Sequence, residues 1–502
     1  MGTILYAALR LLQCGAGLLS TYFLARTVYN LFLHPLAKYP GPRSCAASSV
    51  PYMHAVLTGT LSSRVSAWHK AHGPVVRISP DELSFTDERA WKSIYGIRSG
   101  TGAVGRQNGR DLRFYPPPVG KAPSIIWADD ERHAQVRRLF AQSFSNAAIR
   151  GQEGIIRGYV DLLMKRLREH SANGESLDIG SWFNFTIFDI IGDLTFGESF
   201  GCLENSGYHW WIKLFYDSIK IGSYFNVAKR IPGAMHFVWM LVPARVVENR
   251  KKHDQVTRAK VKSRLARTNE RPDFLSNILK HEGTKRELSF EELVSNASTL
   301  TVAGSETTAT LLAGLTYHLL KNPRVQRKLE DEVRSTFKTE EEVTFEASSR
   351  LPYIRAVIQE SLRIYPPVPN GLPRIVGSGG ETIAGHWIPA GTSVSVAQVA
   401  SYHSPLNFTE PDSFIPERFL DDPRFANDSM DVLQPFSFGP RNCIGRNLAH
   451  VEMRTILARL VFNFDMDLDE QRTGDWERTQ RAYFLREKGP VFVRLRARDT
   501  HG

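Results

Sequence analysis

The chain has 502 residues, of which 42 % are hydrophobic and 11 % aromatic, and it carries a formal net charge of +11. That apolar content excludes a disordered chain, and the length suits either roughly two to four units of about 150 residues or one large fold. The four cysteines, at 14, 45, 202 and 443, include no CxxC pair, which excludes a disulfide framework and a zinc cluster and suits a reducing compartment.

Residues 3–25, TILYAALRLLQCGAGLLSTYFLA, are interrupted only by Arg10. About 20 mostly apolar residues cross a bilayer, so an uncleaved N-terminal transmembrane helix is expected over 3–25. Residues 26–45 read as a basic, proline-broken hinge, with Arg26, Lys38 and Arg43 on the cytoplasmic side. The catalytic domain would then occupy 46–502 and face the cytosol. On that reading the sequons at Asn184, Asn296, Asn407 and Asn427 stay unglycosylated.

Residues 75–87, VVRISPDELSFTD, read as two strands around Ser79-Pro80. GTGAVG at 100–105 fits G-x-G-x-x-G, but no strand precedes it and no helical pattern follows, so a nucleotide site is not expected. Helical spacing predicts helices over 130–142, 152–169, 208–221, 245–268 and 288–321. The short run IPGAMHFVWMLVP at 231–243 is open between a surface helix dipping into lipid and a core helix. Residues 245–271 carry ten Lys/Arg against three acids. Val246, Val247, Val256, Val261 and Leu265 recur at helical spacing there, so the run reads as an amphipathic helix with a solvated basic face, not a nucleic-acid site. A helix at 351–364 stops at Pro366-Pro367, 372–400 is strand-rich, and a last helix covers 444–461. The fold class is mainly α with a small β-rich portion.

The loop FSFGPRNCIG, 436–445, places Cys443 among Gly439, Gly445 and Arg441. Glycines permit tight turns and close backbone approach, and the freed N–H groups can donate to a sulfur. A helix starting just after Cys443 adds its positive end. One cysteine cannot hold zinc or an iron–sulfur cluster alone. It can be the single axial ligand of a haem iron.

The pattern F-x-x-G-x-R-x-C-x-G, with Phe436, Gly439, Arg441, Cys443 and Gly445 at its fixed positions, resembles the haem-binding signature of the cytochrome P450 superfamily. The resemblance extends in order along nearly the whole chain. LFLHPLAKYPGPR, FNFTIFDIIGDLTFGESFGCLE and AGSETTATLL are similar to fungal microsomal members of secondary metabolism, of the isotrichodermin C-15 hydroxylase-like type. It implies the P450 fold, haem b on Cys443, and a structural cluster of Glu360 and Arg363 (E-x-x-R) with Arg418 (P-E-R-F). It also implies an oxygen-activating helix at Ala303-Gly304-Ser305-Glu306-Thr307-Thr308, with Thr307 and Glu306 delivering protons. His133 and Arg137, in place of the usual W-x-x-x-R, would bind the haem propionates with Arg374 and Arg441. The implied reaction is monooxygenation of a small apolar substrate with O2 and NADPH-derived electrons from NADPH–cytochrome P450 reductase at the endoplasmic reticulum membrane. A basic face at Arg441 and Arg446 would steer that partner. The alternative is a haem-thiolate isomerase, dehydratase or peroxide-driven enzyme that needs no reductase.

Overall fold

The computed structural model describes residues 2–97, 107–115, 122–207, 210–267, 271–279 and 287–499. The GTGAVG motif lies outside the described residues. The expected helices form close to their predicted bounds, as Asp130–Ala141, Glu153–Ser171, Ala244–Leu265, Phe290–Leu320, Pro352–Ile364 and Arg446–Asn463, except that the helix expected over 208–221 runs on as Trp210–Ala228. Their apolar spacing sets them, and proline and capping residues end them.

The helix Phe290–Leu320 is the axis of the molecule. It starts at a capping box in which Ser289 and Glu292 satisfy each other's backbone. Glu292 also receives Arg132 of the early helix at 2.7 Å, which ties the two elements together. From Ala309 onward every residue of the long helix is buried. Its main neighbour is Ile179–Phe196, nearly all of whose residues are buried. The polar residues of that segment are buried as well: Asp189 accepts the backbone N–H groups of Phe200, Cys202 and Leu203, and Asp193 pairs with Arg271.

Gly314 shows how close the packing is. A Cβ added there would come within 2.1 Å of the Tyr365 ring. Gly314→Ala is expected to lower stability by about 1–3 kcal/mol, read as a shift of the urea midpoint.

The β portion is small. A five-stranded sheet runs in spatial order Val75–Ser79, Glu82–Phe85, Ser393–Val396, Arg374–Ile375, Gly109–Arg110. Only the pairing of Glu82–Phe85 with Ser393–Val396 is parallel. This sheet carries Arg374 and Arg110 to the edge of the central cavity.

Three expectations change at the periphery. The first helix runs Gly2–Val28 and continues into Tyr29–Leu33, so it passes the expected end at 25. The stretch read as a hinge is packed: Leu36, Tyr39 and Cys45 are buried, and Arg77 donates to the Asn30 carbonyl at 2.8 Å. The basic helix Ala244–Leu265 buries Val261 and leaves Val247 exposed. Its N-terminal half does not lie on a core; Arg245, Asn249, Arg250 and His253 border the cavity instead. In the short helix Ala234–Leu241, Phe237 and Met240 are 64 % and 76 % exposed, so it is no core helix.

Candidate active site

One cavity of about 1460 Å³ lies between the long helix, the cysteine loop and the segment around residues 220–258. Pockets for a single drug-sized ligand measure about 300–1,000 Å³, so there is room here for a large group and a second molecule.

Cys443 forms part of its floor. The Cys443 N–H donates to the Phe436 carbonyl at 2.9 Å, which closes the loop beneath it. Gly439 sits at φ +77°, and a Cβ there would meet the Tyr95 carbonyl oxygen at 2.0 Å, so only glycine fits. Gly445 differs. It precedes the helix at φ −81°, and a Cβ there would stand 3.9 Å from the Cys443 sulfur, in ordinary contact. Its small size leaves space beside the sulfur and is not demanded by backbone strain. Burial pushes the Cys443 thiol up, while the Gly445 N–H and the guanidinium groups of Arg137 and Arg446 pull it down. Burial wins, so the protein alone holds a thiol. Binding a metal would release its proton. Phe436 packs against the His450 ring at 5.0 Å.

Above the floor the wall is strongly basic. Arg374 is buried and its Nε has no partner. The Arg441 side chain is 6 % exposed and pairs with Asp130 at 2.8 Å. Arg441 therefore belongs to the interior and cannot steer a partner from the surface; the exposed residue of the expected pair is Arg446. Burial and then Arg441 and Arg374 lower Arg110 to about 10. Three guanidinium groups thus share one wall with a single acid. His133 is buried, and burial followed by Arg441 and Arg137 lowers it to about 3, so it is neutral at physiological pH. Arg137 donates to the Asn442 carbonyl at 2.6 Å and fixes the loop beside the cysteine. The indole N–H of Trp127 faces the same cavity, buried and without a partner. These unsatisfied donors fit a group with carboxylates at one edge. Together with a lone thiolate ligand, they fit haem.

On the opposite wall the long helix presents Ala303, Gly304, Thr307 and Thr308. A Cβ on Gly304 would meet the terminal methyl of Ile191 at 2.9 Å, so the glycine lets the two helices approach closely. Thr307 Oγ1 donates to the Ala303 carbonyl at 2.7 Å. Its lone pairs are left for the cavity. Glu306 is not brought to the cavity with it. It is buried one position round the helix, paired with Lys488, and accepts from Thr310 Oγ1 at 3.0 Å. The expected acid–hydroxyl pair therefore does not share one surface, because successive helical residues point about 100° apart.

Behind the site, Arg363 donates to both oxygens of Glu360, each at 2.8 Å. Arg418 Nε reaches Glu360 at 3.2 Å. Asp428, which sequence reasoning missed, pairs with Arg418. All four side chains are fully buried, two cations against two anions.

Arg110, Trp127, Lys488 and Glu452 were also missed. Glu452 alone left a trace, as the single acid of the last helix.

Comparison with known proteins agrees with this geometry. A profile of the family described as Cytochrome P450 matches residues 51–494. The chain is 44 % identical to Cytochrome P450 monooxygenase lcsI of Purpureocillium lilacinum, over 96 % of this chain and 93 % of that one. It is 44 % identical to Cytochrome P450 monooxygenase astA of Talaromyces wortmannii, over 96 % of both. It is 43 % identical to an averantin hydroxylase of Dothistroma septosporum, over 96 % of this chain and 91 % of that one.

Proposed function

The chain belongs to the cytochrome P450 family, and from that premise we propose that it hydroxylates or otherwise oxidises a small apolar metabolite, with electrons passed from NADPH by a separate reductase. The observation that carries this reading is that Cys443 and Thr307 both line one cavity. Residues such as Ile125, Leu300, Leu311, Val368 and Phe484 make the space between them apolar.

Haem b, when bound, would supply the dioxygen and one-electron chemistry, and Cys443 would hold its iron. Arg374, Arg441, Arg110 and Trp127 would hold its carboxylates, and neutral His133 can give one N–H to them. The apolar wall orients substrate and excludes water. Thr307 accepts a proton-bearing water from the cavity. It donates in turn by rotating its hydroxyl away from the Ala303 carbonyl. Glu306 serves from behind, holding Lys488 and Thr310. The first helix would anchor the protein in the endoplasmic reticulum membrane with its catalytic domain in the cytosol, and the exposed Phe237 and Met240 would rest on the bilayer surface.

The test is turnover of a panel of terpenoids and polyketides with reductase, NADPH and isotopically labelled dioxygen. One labelled oxygen in the product, dependent on NADPH, is the expected result. Unlabelled product formed without NADPH would favour an isomerase or dehydratase, and product formed only with peroxide a peroxide-driven enzyme. Once a substrate is in hand, Thr307→Ala is expected to lower product formed per NADPH by about 10²-fold, the ordinary scale for losing a positioned proton donor.

A further inference from the structure

Three polar side chains border the cavity without belonging to its basic wall or its cysteine floor. Gln398 is 2 % exposed, and its Oε1 has no hydrogen-bond partner among the described residues. Tyr52 is 3 % exposed and lines the same space. Asn226, 7 % exposed, stands in the roof helix Trp210–Ala228. They come from distant parts of the chain, and one small apolar cluster gathers them at a corner. Tyr52 packs in that cluster with Ala397, which precedes Gln398, and Val227, which follows Asn226, packs against it.

Their neighbours set what each can do. Arg230 Nη1 pairs with Glu82 at 3.0 Å, both side chains almost fully buried, and its guanidinium covers the Tyr52 ring at 4.1 Å. Burial and then Glu82 push the Tyr52 phenol up, so it keeps its proton and acts as a donor. Arg230 Nε stands 3.5 Å from Asn226 Oδ1, which turns the N–H groups of that amide the other way. The corner thus combines one free acceptor with two donors, and the ion pair behind it is balanced. Buried polar groups without partners cost stability unless a ligand or water satisfies them. A wholly apolar molecule would leave them unmet.

We propose that this corner is a substrate subsite for an uncharged hydroxyl on an otherwise apolar skeleton, with Gln398 Oε1 accepting its O–H and Tyr52 and Asn226 donating to its oxygen. A hydroxyl is a small neutral group that both donates and accepts. Val56, Leu61 and Phe484, which also line the cavity, take part of the apolar remainder. The three polar residues set specificity: a molecule lacking the hydroxyl is rejected because it strands buried groups. The subsite rests on the reading of this cavity as the place where substrate is oxidised.

2-Naphthol and 2-methylnaphthalene have nearly the same shape and differ by a hydroxyl in place of a methyl group. Their binding to holoenzyme, measured by equilibrium dialysis near neutral pH at fixed detergent, tests the corner without a known substrate. Wild type is expected to bind 2-naphthol about tenfold more tightly, the scale of one well-made hydrogen bond. Gln398→Leu and Tyr52→Phe should each cut that preference by about threefold or more and leave 2-methylnaphthalene bound as before. Tyr52→Phe removes a single oxygen, so it carries the test should Gln398→Leu lose its carbon monoxide spectrum.

Equal affinity of wild type for the two probes overturns the proposal. So does an unchanged preference in both variants, and so does an equal weakening of both probes, which would make these residues structural. A Gln398→Leu protein that gives up haem to apomyoglobin faster while its preference stands would assign the amide to the haem carboxylates, and overturns it too. None of these readouts uses turnover. A protein that keeps the preference but oxidises nothing with NADPH and reductase would sink the monooxygenase reading and leave the subsite standing.

Discussion

Cys443→Ser should abolish the strongly red-shifted Soret band of the reduced, carbon monoxide-treated protein. The wild-type protein should show it. The physical reason is the ligand set. Among the described residues no three His, Cys, Asp or Glu side chains gather as a metal site, and Cys443 is the cysteine on the cavity floor. A serine oxygen keeps the shape of the loop, and the Phe436 carbonyl still receives the backbone N–H of residue 443. It does not supply a thiolate. The variant should fold, with an unchanged far-ultraviolet circular dichroism spectrum, and lose the band and monooxygenation entirely. A full red-shifted band in the variant would remove Cys443 from the iron, and the proposed mechanism with it.

The second large effect is on stability. Glu360→Gln leaves Arg363 and Arg418 facing Asp428 alone, one buried positive charge in excess. Glu360 also accepts the Ile415 N–H at 2.8 Å, so the loop leading to the P-E-R-F turn loses its tie as well. Breaking a buried pair by removing one partner costs roughly 3–5 kcal/mol. Set against a usual total of about 5–15 kcal/mol, this is a large share. The expected outcome is little soluble protein at 37 °C and a urea midpoint far below wild type. Asp428→Asn should behave alike, because it unbalances the same cluster. A midpoint within experimental error of wild type would mean that the cluster tolerates an unbalanced charge.

Much of the framework was legible because it is periodic or punctuated. The long helix announces itself by apolar spacing, and the strand pair by two short runs on either side of Ser79-Pro80. The cysteine loop is legible because its chemistry is local: ten consecutive residues hold the ligand, the turn and the start of the helix. Helix Ile179–Phe196 is not among the helices expected from spacing, since a segment buried on all sides has no face to reveal.

What escaped depends on distance along the chain. Trp127 does not stand four residues before Arg137, where W-x-x-x-R puts its tryptophan, yet it borders the same cavity. Lys488 meets Glu306 across 182 positions, and no local pattern predicts that contact. The basic helix misled for another reason. Its valines suggested a core-facing stripe, but the space beside its first half is the cavity, where polar and charged side chains can also stand.

The four-charge cluster bears on how this sequence can change over generations. Replacing all four members together with well-packed apolar residues can be neutral or even stabilising. Any single replacement exposes the remaining charges to an uncompensated interior. The better-packed alternative thus lies across a valley that one-residue steps cannot cross without losing the folded protein. Glu360, Arg363, Arg418 and Asp428 form a historical lock, held in place by the cost of leaving one at a time, whether or not their arrangement is the most stable that the fold allows.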